Sequence, residues 1–171
     1  MIRLFALLAL MAAFASAQNA PIMDAVRLQY GNARRNLIEA ARLMPEEHYS
    51  FKLTPPQRSY ADWIEHTAAL NLRLCSLSQG AAPPAPPKTN GSKTELVAAL
   101  ETAFSFCDAV ITGMTDEHAL RVVNERPRRT SIDYLLGLIA NLNSHYGNMV
   151  GYLRVKGIVP PSTTRAQPMK H

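Results

Sequence analysis

The sequence lacks several features by which specialised proteins are recognised. Its 171 residues include only two cysteines and one tryptophan, and aromatic residues make up 7% of the total. No internal repeat is present, and the basic residues are scattered except in residues 125–130, ERPRRT, which contain no aromatic side chain. Single-stranded nucleic acids are bound by basic grooves with aromatic platforms, and duplex DNA by a basic recognition element. We therefore expect no nucleic acid as a partner.

A long apolar run is also missing. The longest run covers residues 4–14, whereas a membrane-spanning helix needs about 20 apolar residues. It follows Arg3 and leads to Ala15, Ser16 and Ala17, an A-x-A cleavage pattern. These features are typical of a secretory signal peptide. We predict that residues 1–17 are a signal peptide, that the protein is exported to the periplasm or out of the cell, and that it has no stable membrane insertion after cleavage.

The remaining residues, 18–171, are predicted to form one domain, because their apolar positions recur with a helical period and no strand pattern competes. Ser59 can cap a helix, and Gly80 and Gly157 can end one. Residues 115–129 are predicted to be an irregular connection. Each amphipathic helix must bury its apolar stripe against others, so the predicted fold class is all-α, a four-helix bundle. The predicted helices cover residues 21–44, 60–79, 92 or 94 to about 114, and 130 or 131 to 157.

The connection between the second and third helices, residues 80–93, is rich in proline. It contains four prolines, which favour extended polyproline II at about 3.1 Å per residue. Such a linker is long enough to cross the bundle. Whether it crosses or turns tightly decides the direction of the third helix.

The two cysteines, Cys75 and Cys107, bear on these alternatives. Two cysteines in an exported chain suggest one disulfide, and two buried free thiols are the alternative. In a tight hairpin Cys75 would lie about 8 Å from the turn and Cys107 about 24 Å, too far apart to bond. If the linker crosses the bundle, the two helices run parallel and both cysteines lie about 8 to 10 Å before the helix ends. A disulfide and an up-down-down-up bundle therefore support each other.

Three segments resemble the DinB-like (DNA-damage-inducible) family of helical bundles. They are MPEEHYSFKLTPPQRSYADWIEH at residues 44–66, HTAALNLRLCSL at residues 66–77 and HYGNMVGYLRVKGIVPPS at residues 145–162. The resemblance spans residues 21–163. It implies one divalent metal ion, zinc, nickel or iron, held by one histidine of the second helix and two histidines four residues apart on the fourth. It also implies hydrolase or thiol-transferase chemistry on an unknown small molecule.

Carried over to this sequence, the resemblance assigns the metal ligands to His66, Asn141 and His145. Residue 141 is asparagine where the family pattern has histidine, and an amide oxygen is a weaker ligand than a neutral imidazole. One alternative is a weak site completed by Asn141 and water. The other is a non-catalytic binding or interaction bundle, in which the histidines bond each other, Asn141, Tyr146 or Tyr152.

The fourth helix also carries two glycines four residues apart, Gly147 and Gly151. Glycine permits a close approach of another backbone, because it has no side chain. We expect close helix packing along this face, including in a homodimer.

Overall fold

The computed structural model of the protein describes residues 20–166, so the predicted signal peptide, residues 1–17, lies outside the described residues. The described part is mostly helical, as predicted, and consists of six α-helices, a short 3₁₀ helix (Glu46–His48) and one β-hairpin. In each of the four predicted helical segments the structure has a long helix whose ends agree within two residues. The elements are α1 (Pro21–Leu43), α2 (Tyr60–Ser78), α3 (Lys93–Thr112), α4 (Asp116–Ala119), β1 (Val122–Glu125), β2 (Arg128–Thr130), α5 (Ser131–Val155) and α6 (Pro161–Ala166).

Local side-chain bonds set the start of α2 and of α5. At α2, the Ser59 hydroxyl accepts from the backbone N–H of Asp62 at 3.1 Å, and the Asp62 carboxylate accepts from the backbone N–H of Ser59 at 2.8 Å. At α5, the Asp133 carboxylate accepts from the backbone N–H of Thr130 at 2.7 Å. These bonds occupy N–H groups that have no partner within the helix. The predicted cap at Ser59 is therefore confirmed.

The core lies between the four long helices, where α2 packs against α3 and α5, and α1 packs against α3 and α5. Buried tyrosines satisfy their hydroxyl groups on backbone carbonyls: Tyr60 donates to Ala40 at 2.7 Å and Tyr49 donates to Ala41 at 2.6 Å. Burial raises the pKa of both phenols above its usual value. A buried hydroxyl without a partner is costly, so these bonds secure the end of α1 against the start of α2.

A disulfide joins α2 to α3. Cys75 and Cys107 are bonded, with their Cα atoms 5.5 Å apart, and both side chains are fully buried. The disulfide predicted from the sequence is confirmed, and the alternative of two free thiols is wrong. The bond closes a chain separation of 32 residues that contains the whole proline-rich linker.

The connection between α3 and α5 differs from the prediction. The sequence predicts an irregular segment without strands, whereas the structure has the short helix α4 and an antiparallel hairpin of β1 and β2. The hairpin pairs Val122 with Thr130 and Glu125 with Arg128, and it contains a cis peptide bond before Pro127. Its strands have four and three residues, too few for an alternating pattern to be recognised.

Gly147 and Gly151 of α5 face different surroundings. A Cβ atom at Gly151 would lie 3.3 Å from a methyl carbon of Leu53, whereas a Cβ atom at Gly147 would meet no atom within 4 Å. The close approach at Gly151 is thus made by the loop before α2 and not by a second helix. Gly147 is exposed.

Between residues 20 and 166, none of the helices combines the length and apolarity that crossing a bilayer requires.

Candidate functional site

The structure brings His66 of α2 and His145 of α5 together. Their ring centroids are 4.9 Å apart. His145 is 5% exposed and His66 is half-buried. The Trp63 ring, one helical turn before His66, lies 5.2 Å from His145 and 6.2 Å from His66 between centroids. The pair is therefore partly shielded from water by an aromatic ring.

Thr67 determines the tautomer of His145. The Thr67 hydroxyl lies 3.2 Å from Nδ1 of His145, and it donates its single proton to the carbonyl of Trp63 at 2.7 Å. The hydroxyl can therefore only accept from His145, so Nδ1 carries the proton in the neutral ring. Nε2 is left with its lone pair, which is the form that binds a metal ion or accepts a proton.

Both rings are neutral at neutral pH. Burial lowers the pKa of His145 to about 4, and the positive charges of a protonated His66 and of Arg58 act in the same direction. Burial, together with Arg58, also lowers the pKa of His66. Burial disfavours the charged form of an imidazole, because that form loses its hydration. Two adjacent neutral imidazoles are thus available at physiological pH.

The segment before α2 forms the rim of this site. The Arg58 guanidinium lies over the Trp63 ring, 5.1 Å from its centroid. The Tyr152 hydroxyl donates to the carbonyl of Arg58 and accepts from the indole N–H of Trp63 at 3.4 Å. These contacts fix Trp63 and Arg58 between α2 and α5. No sequence signal marks Arg58 as part of a site, whereas the position of Trp63, one turn before His66 on the same helix, indicates that the two side chains are neighbours.

Asn141 lies one turn before His145 and is exposed. Its amide N–H donates to the carbonyl of Gly137 in its own helix, at 2.7 Å. Within the described range no group of three His, Cys, Asp or Glu side chains is close enough to hold a metal ion. Zinc sites in proteins have three or four protein ligands. The two imidazoles can occupy two of these ligand positions. A third His, Cys, Asp or Glu ligand is missing from the described residues.

The bonds of the interior histidine also differ from the predicted ones. Tyr146 donates to Ser162 at 2.8 Å, and Tyr152 donates to Arg58. In the part of the chain that the structure describes, the side chain that bonds His145 is Thr67. The predicted partners Tyr146, Tyr152 and Asn141 were wrong. Thr67 follows His66 directly in α2. In the sequence it falls on the apolar face of the helix, yet its hydroxyl group orients the ring of His145.

Comparison with known proteins identifies the family. Residues 29–149 match the DinB superfamily. A DinB-like protein from Bacillus subtilis has a similar structure, with a TM-score of 0.65 and 20% identity over 78% of this chain and 92% of that chain. A DinB-like protein from Bacillus cereus has a TM-score of 0.68 and 15% identity over 81% and 95% of the two chains. No curated protein sequence matches this chain. The family match covers most of the described helices, and the chain belongs to the DinB superfamily.

Proposed function

We propose that this chain is an exported member of the superfamily in which His66 and His145 hold one divalent metal ion, zinc, nickel or iron. The observation that carries the proposal is the pairing of two neutral imidazoles whose centroids are 4.9 Å apart, one of them oriented by Thr67. Imidazole nitrogens bind zinc at about 2.0–2.1 Å, so one ion can contact two rings at this separation. A hydrogen bond to the second ring nitrogen is typical of metal-binding histidines.

Asn141 is the third residue of the proposed site. Its amide oxygen is a weaker ligand for such ions than an imidazole. Two imidazoles, an amide and water would give a weak site with open positions. We therefore propose an exchangeable ion rather than a permanent structural one.

A bound ion would supply a Lewis acid that lowers the pKa of water or holds a thiolate, which is the chemistry of hydrolysis and thiol transfer. The chain itself keeps the two histidine ligands neutral and correctly oriented. Burial keeps both imidazoles unprotonated. Thr67 fixes the ring of His145, and Trp63 limits the access of water. The proposed substrate is an unidentified small molecule.

The test is elemental analysis of residues 18–171, produced in an oxidising compartment and incubated with zinc or nickel. We expect about one equivalent of metal, and its loss in both His66→Ala and His145→Ala. Asn141→His should raise the affinity by at least about tenfold, since it restores a third imidazole. Leu136→His, at an exposed position of the same helix, serves as a control for added histidine.

A second candidate function is a non-catalytic binding or interaction bundle. It is supported by the bond of the Asn141 amide to its own helix, and by the lack of a third His, Cys, Asp or Glu ligand within residues 20–166. Absence of bound metal in the wild type and in Asn141→His would favour this candidate over the first.

We also propose that the four long helices, α1, α2, α3 and α5, run up, down, down and up, with the proline-rich linker crossing the bundle between α2 and α3. Contacts between opposite ends of helices support it. Near the start of α1, Arg27 donates to the carbonyl of Met114, just after α3. In the first half of α2, Thr67 contacts His145, which lies in the second half of α5. The disulfide joins the last third of α2 to the last third of α3, which fits parallel helices.

Export through a signal peptide at residues 1–17, followed by a bundle domain at residues 18–171, is proposed as well. The Cys75–Cys107 disulfide supports it, because such bonds persist in oxidising compartments. We also propose that the mature protein binds no nucleic acid, has no stable membrane insertion and forms a homodimer. Light scattering on residues 18–171 measures the oligomeric state, and N-terminal sequencing of the exported protein locates the cleavage site.

A further inference from the structure

A cavity of about 610 Å³ lies between α2, α3 and residues 86–89 of the proline-rich linker. We call it the linker pocket. Its wall from α2 includes Asp62, Glu65 and His66, whereas His145 and Thr67 do not line it. Small-molecule sites have volumes of about 300–1,000 Å³. The linker pocket has the size of such a site.

The linker is bonded to the helices on both sides of the pocket. The Thr89 hydroxyl donates to the Glu65 carboxylate of α2 at 2.8 Å. The backbone N–H of Asn90 donates to the Glu95 carboxylate in the first turn of α3 at 2.7 Å. Proline restricts the backbone between these bonds and the end of α2. The roof of the pocket is therefore held in place.

Charged groups of both signs line the pocket. The backbone N–H of Ser59 holds the pKa of the Asp62 carboxyl below its usual value, so this group is ionised at neutral pH. Asp62 and Glu65 supply two carboxylates, and Lys88 supplies an ammonium group from the linker. Among residues 20–166 these three side chains take part in no ion pair within 4.0 Å.

The rest of the lining is apolar. Ala68 and Ala69 of α2 and Ala99 of α3 are small, and two prolines of the linker also line the pocket. These side chains leave room for an apolar group that would be removed from water on binding.

We propose that the linker pocket binds a zwitterionic α-amino acid with an apolar side chain. The ligand ammonium group would donate to Glu65 and Asp62, its carboxylate would accept from Lys88, and its side chain would contact the alanines. Lys88 precedes Thr89, which is bonded to Glu65, and it lines the same pocket as the two carboxylates. A ligand that carries two opposite charges a short distance apart, as an α-amino acid does, matches this lining. The site goes beyond the proposed function, because it requires no metal ion.

The test is a titration of metal-free, nitrogen-15-labelled residues 18–171 with L-leucine, followed by amide chemical shifts. We expect saturable shifts in residues 62–69 and 86–89 at leucine concentrations up to about 10 mM. Two matched probes separate the charges: 3-methylbutylamine lacks the carboxylate, and 4-methylpentanoate lacks the ammonium group. Each should bind at least about tenfold more weakly. No shift with leucine, or equal binding of the amine, would overturn the proposal.

Variants locate the binding site. Glu65→Gln keeps an oxygen for Thr89 but loses its charge, and Lys88→Gln loses the ammonium group. Each should weaken leucine binding about tenfold. Glu47→Gln and Arg128→Gln, at exposed positions away from the pocket, should leave it unchanged. Wild-type affinity in both pocket variants would reject the assignment. His145→Ala removes the proposed metal site but should still bind leucine, so the two proposals fail separately.

Discussion

At the residue scale, Thr67 connects α2 to the interior imidazole of His145. Its hydroxyl both donates to a backbone carbonyl and accepts from the ring. If the acceptor is removed, the buried donor is left without a hydrogen bond. The resulting loss of stability is larger than the net stability that the hydrogen bond contributed.

Replacing Thr67 should therefore affect stability and metal binding together. For Thr67→Val, which keeps the shape but removes the hydroxyl, we expect a loss of about 1–3 kcal/mol in the free energy of unfolding. We also expect a roughly tenfold loss of metal affinity, because the ring is no longer oriented. Urea unfolding and zinc titration measure the two effects. Thr67→Ser keeps the hydroxyl and should lose little of either; equal behaviour of the two variants would contradict the role of the hydrogen bond.

His145 should also make the metal-free protein sensitive to mild acid. Its pKa is lowered to about 4 in the folded state, against about 6.5 in the unfolded chain. Between these values the unfolded state binds more protons, so the free energy of unfolding falls as the pH falls from about 6.5 to about 4. The side chain is almost fully buried, and the loss reaches about 3 kcal/mol.

The measurement is urea unfolding at several pH values, for wild type and His145→Gln. His66 and Arg58 are present in both proteins, so the difference between the two curves reports the contribution of His145 together with its coupling to His66. We expect the wild type to lose more stability on acidification than the variant. Parallel curves would show that His145 is not held neutral.

Single residues of the site were only partly predictable. The helical period predicts that His145 lies toward or beside the core, and in the structure its side chain is buried. The bond from Thr67 depends on how α2 and α5 are aligned, which is a long-range property that the local pattern does not contain. Asn141 lies on a predictable helix, but whether its amide faces a neighbour or its own backbone depends on packing.

At the element scale, the long helices were the most predictable part. Their apolar periods extend over 19 to 25 residues, and capping signals mark the ends. The hairpin was missed because each strand has four residues or fewer. The hairpin packs against other elements: β2 contacts α5, and Val123 of β1 lies close to Gly80, just after α2. Short elements that are stabilised by tertiary contacts leave little local signal.

The cap of α2 is a test of how local sequence stabilises an element. For Ser59→Ala we expect a loss of about 1 kcal/mol in the free energy of unfolding, because the N–H of Asp62 loses its acceptor. Thermal and urea unfolding measure the change. Ser50→Ala, at an exposed position in the preceding turn, is the matched control and should be neutral. If both variants are equally stable, the cap contributes nothing measurable.

At the scale of the whole molecule, the disulfide links α2 to α3 and so closes the long segment of chain that contains the proline-rich linker. The linker between α2 and α3 is exposed along residues 80–88 and adds little to the core. Without the disulfide, the unfolded chain gains the freedom of a loop of 32 residues. In the loop-entropy treatment that freedom corresponds to about 3–4 kcal/mol of stability.

The double variant Cys75→Ala, Cys107→Ala should lose about this amount in urea unfolding, with some addition from the buried sulfur atoms removed. Wild type unfolded in the presence of dithiothreitol should lose a similar amount, and the double variant should not respond to the reductant. Cys75 follows His66 by nine residues, about 13 Å along the helix. The variant should therefore still pair its histidines below the unfolding transition, so metal binding should persist while stability falls. Metal loss at a concentration of urea that leaves the helices folded would mean that the disulfide positions α2 for the site as well as stabilising the chain.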